Sequence, residues 1–273
     1  MGFEVANTYA SAWQLEGLSK EGETANSTFY SCYSQKFGTG LLKVLTPNGL
    51  SIERNGFALL ATYGPDLAVE IFRYDETAAF MKRLNGPRLL DMIDDGAEDA
   101  ALDIQMDITR RLLDTEIRLE DIKTLEDIMA RSVEMDANKV PEWARDIVPV
   151  AQQITRRLLL DKSQWRPLHG DLHPRNIIAD EGAWRVIDPR AVKGPPAFEY
   201  ANLFLNPWDR TALIFKPGRM EKIAKIASAQ PGIDIQEVLS CAIASALHYA
   251  HISFGYGQGR HPINCIRQLL KLL

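Results

Sequence analysis

The stretch "LHGDLHPRNII", residues 168–178, constrains this chain more than any other, because it crowds two histidines, an aspartate and an asparagine into His169–Asn176. Such a cluster is a metal site, a catalytic loop or a polar turn, and the residues that follow decide among them. After Asn176, "IIA" is apolar, "DEG" at 180–182 is a turn signal, and "WRVI" is a second β-type run that ends at Asp188. A hairpin there brings its two ends together. Asn176 and Asp188 then stand side by side with Asp171 close by, and three oxygen-bearing side chains converge.

That convergence suits magnesium and phosphate. Phosphoryl transfer from ATP needs hard oxygen ligands for Mg²⁺, a carboxylate at the attacking hydroxyl and a cation on the phosphates. "HGDLHPRN" keeps the H-x-D-L-x-x-x-N spacing of a kinase catalytic loop, which makes Asp171 the candidate base and Asn176 and Asp188 the candidate metal ligands. Lys43 in "LLKVL" is the candidate cation, and Glu53, on the helix expected after that strand, is placed to pair with it. A two-metal phosphoesterase would instead use His169, Asp171 and His173 as ligands. It needs further His, Asn and Asp clusters downstream, and the remaining histidines are only His248, His251 and His261. The two loop histidines are therefore expected to brace backbone.

The rest of the chain divides into a β-rich part and a helical part. "STFYSCYSQKF" and "LLKVL", joined through "GTG", predict a hairpin; "SIERNGFALLATYG" predicts a helix closed by Gly64 and Pro65; "LAVEIFRYD" and "AAFMKRL" predict two further strands. "NGP" at 85–87 breaks regular structure and is a candidate hinge. Beyond it, Ala101, Ile104, Ile108 and Leu112 recur at helical spacing, as do Trp143, Ile147, Ala151, Ile154 and Leu158 in a segment where Pro149 predicts a kink. Asp234 and Glu237 stand at capping-box spacing, and a last helix is expected from Pro262. The expected class is α+β, with an N-terminal lobe over 1–84, a hinge at 85–88 and a helical lobe over 89–273.

With 46% hydrophobic residues in 273, the chain can bury a large core. A formal charge of -5 supplies no general basic field, so nucleic acid is not an expected partner. Cys32, Cys241 and Cys265 form no CxxC pair and are expected as buried thiols. The start "MGFEVANTY" lacks a signal-peptide pattern and no run approaches a membrane span, which together predict a cytoplasmic protein.

"LHGDLHPRNII" followed by "WRVIDPRAVKGPPAFEYANLFLNP" resembles the aminoglycoside phosphotransferase-like kinases, in particular the streptomycin and hydroxyurea phosphotransferase branch. The likeness extends loosely upstream: "EGETANSTFYSC" resembles the phosphate-covering loop and first strand, "LLKVL" the lysine strand, "ERNGFALL" the glutamate helix and "AFMKRLNGP" the hinge. It implies a two-lobed protein-kinase-like fold, ATP and Mg²⁺ in the cleft, and transfer of the γ-phosphate to a hydroxyl of a small molecule. Lys43, Glu53, Asp171, Asn176 and Asp188 fall on the family's functional positions. Asn85 and Gly86 would lie at the adenine-contacting hinge, and Asn26 and Ser27 near the phosphates. A nucleotide-binding pseudokinase and a metabolite kinase unrelated to antibiotics are the alternatives. One departure is "GPP" at 194–196, where relatives carry GDP, so a carboxylate that braces the loop is missing. Arg175 and Arg190 have no assigned role, and Glu199 and Asp209 are candidate acidic walls for a cationic acceptor.

Overall fold

In a computed structural model, which describes residues 2–273, the chain folds into two unequal lobes. Met1 lies outside the described residues. The first lobe runs α1 (Gly2–Trp13), β1 (Leu15–Glu23), β2 (Ser27–Ser34), β3 (Gly38–Leu45), α2 (Pro47–Glu53), α3 (Gly56–Tyr63), β4 (Ile71–Tyr74) and β5 (Ala78–Lys82). The second runs α4 (Leu89–Asp94), α5 (Glu98–Asp114), α6 (Leu125–Val133), α7 (Val148–Leu158), β6 (Arg166–Leu168), β7 (Ile177–Asp180), β8 (Ala183–Val186), β9 (Val192–Gly194), α8 (Thr211–Ile214), α9 (Arg219–Ser228), α10 (Ile235–Phe254) and α11 (Arg260–Leu269). Among the described residues no helix is long and apolar enough to cross a membrane.

The strands of the first lobe form one antiparallel sheet in the order β1-β2-β3-β5-β4, with β3 at its centre. Period-two alternation along β3 sorts its side chains. Leu42 and Val44 join Tyr30, Cys32, Phe80 and Ala6 of α1 in a cluster on one face, while Leu45 joins a second cluster on the other. Lys43 shares that second face, which is the face turned to the cleft. The second cluster also takes in Leu89, Ile108, Leu112, Leu172, Ile177 and Val186, so it passes beneath the cleft from one lobe into the other. A third and larger cluster, built around α10, fills the helical lobe.

Several elements depart from the sequence expectation. A helix and a strand, α1 and β1, precede "STFYSCYS", which makes that run the second strand of the sheet. The helix expected over 51–64 is two helices, α2 and α3, parted at Arg54 and Asn55. Both helices carry a glycine at a close approach: a Cβ on Gly49 would lie 1.9 Å from the Asn26 carbonyl oxygen, and one on Gly56 would lie 2.7 Å from that of Pro189. Only Ile71–Tyr74 of "LAVEIFRYD" pairs within the sheet. Its beginning serves β8 instead, with Val69 N–H donating to the Val186 carbonyl (3.1 Å) and Val186 N–H to that of Leu67 (2.9 Å). Pro149 sits in the first turn of α7 and starts the helix where a kink was expected, leaving Trp143 in a separate 3-10 turn. Asp234 caps α10 through the Glu237 N–H (3.0 Å), and all three cysteines are free and buried.

Candidate active site

The catalytic-loop segment begins at β6, which pairs with β9, and ends in the β7–β8 hairpin whose register sets Ile177 opposite Val186. The hairpin expected from "IIADEGAWRVI" therefore forms. One step past its end, Ile187 N–H donates to the Asn176 carbonyl (3.0 Å), which places Asp188 beside Asn176. Gly170 has φ +73°, and a Cβ there would meet Val192 Cγ1 at 2.3 Å, so glycine is required both by conformation and by space.

His169 is fully buried and braces the loop with both ring nitrogens. Its Nε2 donates to the Ile187 carbonyl (2.9 Å) and its Nδ1 accepts from the Asp171 N–H (3.3 Å). Burial pushes its pKa down to about 4, which keeps the ring neutral and fixes this tautomer. His173 Nδ1 accepts from the Arg175 N–H (3.3 Å). These bonds commit both ring nitrogens of His169 and Nδ1 of His173 to backbone, which takes His169 out of the ligand set of the metal-phosphoesterase alternative.

Asp171 lies where donors from distant elements meet. Its Oδ1 accepts from Asn202 Nδ2 (3.1 Å) and from the Tyr249 hydroxyl (3.2 Å), while Arg190 Nε stands 3.5 Å from Oδ2. Burial alone would raise this carboxyl's pKa, but the charge of Arg190, the two loop histidines and the Tyr249 hydrogen bond outweigh it, and the net direction is down. Asp171 is thus held ionised. Asn176 spends its amide nitrogen on the Asp171 carbonyl (3.0 Å), which leaves Oδ1 as the atom available to a cation.

Across the cleft, Lys43 is buried and pairs with two carboxylates, Glu53 Oε2 at 2.5 Å and Asp188 Oδ1 at 2.9 Å. Desolvation works against its charge, and the attraction of Asp188 and Glu53 outweighs that, so the ammonium is retained. Glu53 is gripped from its other oxygen by Asn26 Nδ2 (3.1 Å), whose own Oδ1 accepts from Asn48 (2.6 Å). Thr46 holds this corner together: it accepts the Gly49 N–H as the cap of α2 and donates to the Ala25 carbonyl. Ser27, in the same turn, is buried and its hydroxyl is without a partner. Asp188 adopts φ +56°, in the left-handed region, and its side chain is 40% exposed to the cleft. Such strain persists where the surroundings over-determine it; here the carbonyl of Ile187 and the N–H of Arg190 are both bound by His169.

Two adjoining cavities follow. One of about 270 Å³ is lined by Asn26, Ser27, Lys43, Asp171, Asn176 and Asp188. The other, about 350 Å³, is lined among others by Val69, Met81, Arg83, Leu84, Ile178 and Ile187. The first brings together all the sequence-expected site residues except those of the hinge. Asn85 and Gly86 are not in the lining of the second; Gly86 is pressed against the hairpin, where a Cβ would lie 2.1 Å from the Ala179 carbonyl oxygen, and the apolar cavity meets residues 81–84 instead.

Other residues also differ from expectation. Glu199 is buried beneath the loop, where its Oε1 accepts the Gly170 N–H (3.3 Å), so this carboxyl group braces the loop where Pro195 has no side-chain oxygen to do so. Asp209 is engaged by Arg175 (2.7 Å) and Arg210 (2.7 Å). Neither Glu199 nor Asp209 is a free acidic wall. Arg190, left without a role by the sequence, is lodged between Asp171 and the Tyr249 ring. Asn202 and Tyr249 carry no motif of their own and were not anticipated.

An antiparallel sheet holding an ion-paired lysine above a helical lobe with an aspartate-bearing loop and a carboxylate-ended hairpin defines a protein-kinase-like phosphotransferase. The chain belongs to the aminoglycoside/hydroxyurea antibiotic resistance kinase family, whose model matches residues 13–253. It is 29% identical over 245 residues to a streptomycin 3''-kinase of Klebsiella pneumoniae, covering 83% of this chain and 85% of that protein. Its fold is similar to that of the aminoglycoside phosphotransferase APH(4)-Ia in ternary complex with ADP and hygromycin B (TM-score 0.66, 16% identity, 98% of each chain). It is also similar to the choline kinase LicA from Streptococcus pneumoniae (TM-score 0.64, 14% identity, 98% of this chain and 97% of that one). The protein is an ATP-dependent kinase that phosphorylates a hydroxyl of a small molecule.

Proposed function

We propose that the cleft transfers the γ-phosphate of ATP to an acceptor hydroxyl oriented by Asp171, in a protein of the cytoplasm. The observation that carries this reading is the ionised Asp171, with Oδ1 taken by Asn202 and Tyr249 and Oδ2, which faces the Arg190 guanidinium at 3.5 Å, the oxygen that would accept a hydroxyl proton. Lys43, held by Glu53, neutralises phosphate charge; Asn26 and Ser27 close over the phosphates from the β1–β2 turn. Residues 1–84 act as the nucleotide lobe, 85–88 as the hinge and 89–273 as the acceptor lobe, with Asn85 and Gly86 contributing backbone to the linkage. The free Oδ1 of Asn176 and the exposed carboxylate of Asp188 suit a hard cation, and these two residues would hold Mg²⁺. Bound there, the ion supplies charge neutralisation on the phosphates.

The test is ADP release with Mg²⁺-ATP over streptomycin, other aminoglycosides, hydroxyurea and sugar or amino-alcohol metabolites. Streptomycin belongs on the panel because of the Klebsiella relative, and hydroxyurea because of the family description. Asp171→Asn keeps the shape and removes the base, and acceptor-dependent turnover is expected to fall by about 10²- to 10⁴-fold. Undiminished turnover in that variant would refute the assignment.

A further inference from the structure

Helix α10 serves the catalytic carboxylate with two side chains, Ser245 and Tyr249, which stand one turn apart at the i, i+4 spacing that puts them on one face. The Tyr249 hydroxyl accepts from Arg190 Nη2 (3.2 Å), so its single proton goes to Asp171 Oδ1, also at 3.2 Å. The second donor to that oxygen is set from behind. Ser245 Oγ donates to Asn202 Oδ1 (3.3 Å), which turns the amide so that Nδ2 meets the carboxylate at 3.1 Å. Ser245 and Asn202 are both buried, and the Tyr249 ring packs against the Arg190 guanidinium and the Trp208 ring, each at 5.5 Å.

An aspartate turns broadly about its last side-chain bond, so a base held at neither oxygen presents either one over a range of directions. Two donors that reach Oδ1 from different elements remove that freedom. Phosphoryl transfer depends on positioning, and a small misplacement of a reacting group costs rate without costing affinity. The same helix also walls a cavity of about 1070 Å³ through His248, His251 and Ile252, and this cavity shares Ile52 and Arg190 with the phosphate cavity. One helix therefore fixes the base and part of the space beside it.

We propose that Tyr249 is a positioning residue for phosphoryl transfer: with Asn202, itself oriented by Ser245, it holds Oδ1 of Asp171 so that Oδ2 is the oxygen aimed at the acceptor hydroxyl. The acceptor's proton passes to Oδ2 as its oxygen bonds the γ-phosphorus and the bridging oxygen leaves with ADP. The inference rests on the kinase reading above and deepens it.

The test is ADP release from Mg²⁺-ATP, with streptomycin as added acceptor and with water alone, in the wild type, Tyr249→Phe, Ser245→Ala, Asp171→Asn and the Tyr249→Phe, Asp171→Asn double variant. AMP-PNP affinity is measured in parallel as a check on folding. Phenylalanine keeps the ring and removes only the hydroxyl. Tyr249→Phe is expected to lower kcat by about tenfold or more, as for a lost hydrogen bond to a charged group, with KM for ATP within about twofold of the wild type. Ser245→Ala is expected to lower kcat by about two- to tenfold with the same unchanged KM. In the Asp171→Asn background Tyr249→Phe is expected to cause no further loss, because it acts through the carboxylate. A Tyr249→Phe protein that no longer binds AMP-PNP leaves Ser245→Ala to decide. Unchanged kcat, a KM for ATP that rises in step with the loss, or a full further loss in the double variant overturns the positioning role and leaves the kinase reading intact. ADP release that survives Asp171→Asn, or none from the wild type with either acceptor, overturns the kinase reading itself.

Discussion

Glu199 shows how one side chain beneath a loop couples the fold to pH. Burial pushes its carboxyl up to about 8 from an ordinary 4.5, although the backbone N–H groups of Gly170 and His169 favour the ionised form. Between those two values the folded protein keeps a proton that the unfolded chain has released. The stabilisation is therefore complete below pH 4.5, declines as pH rises and is gone above about 8, with a slope of at most about 1.4 kcal/mol per pH unit. Glu199→Gln retains an oxygen for Gly170 without a titrating group. The variant's melting temperature is expected to match the wild type near pH 5 and to exceed it by pH 8; a difference that does not change with pH would contradict this. At this scale the sequence was legible where chemistry is local: Asp171, Asn176 and Asp188 stand at motif spacing and the hairpin does bring them together. Glu199, Asn202 and Tyr249 were not legible as loop partners, because each meets its partner across 29, 31 or 78 residues and from helical segments whose inward face is chosen by packing.

Among the elements, α2 bears most directly on the nucleotide side. Its Gly49 packs on the Asn26 carbonyl, its cap Thr46 ties residue 25, and its last residue is Glu53, so a single short helix sets both the 24–26 turn and the lysine's partner. Gly49→Ala must force turn and helix apart, since backbone and not a flexible side chain lies 1.9 Å away. The expected outcome is a KM for ATP raised by about tenfold or more with a lower melting temperature, measured by steady-state kinetics and thermal unfolding; an unchanged KM would mean the turn does not cover the phosphates. Element boundaries were harder to read than element types. Nothing in "SIERNGFALLATYG" marks the break except Gly56, whose reason, the Pro189 carbonyl, lies more than a hundred residues away. The first helix was overlooked even though Ala6, Tyr9, Ala10 and Trp13 keep an i, i+3, i+4, i+7 pattern, and β1 was overlooked because it is an edge strand with little buried beyond Leu15.

For the whole molecule, the cluster that runs beneath the cleft from Phe57 and Met81 to Leu112 and Val186 makes the lobes one folding unit. Calorimetry is expected to record a single unfolding transition, with calorimetric and van't Hoff enthalpies equal; two resolved transitions would show independent lobes. The two-lobed outline was readable from the change of periodicity near residue 85, whereas the shared core was not, because periodicity reports which residues are buried and not which partners bury them. The β7–β8 hairpin carries the matter further. It is hydrogen-bonded to residues 67–69 along one flank and, through the Ala179 N–H, to Pro87 on the other. A cleft moored on both sides has no free axle on which to swing wide, so if the cleft binds ATP as proposed, the departure of ADP is expected to depend on the 24–26 turn, two of whose residues line the phosphate-side cavity, and on the small helix that seats it.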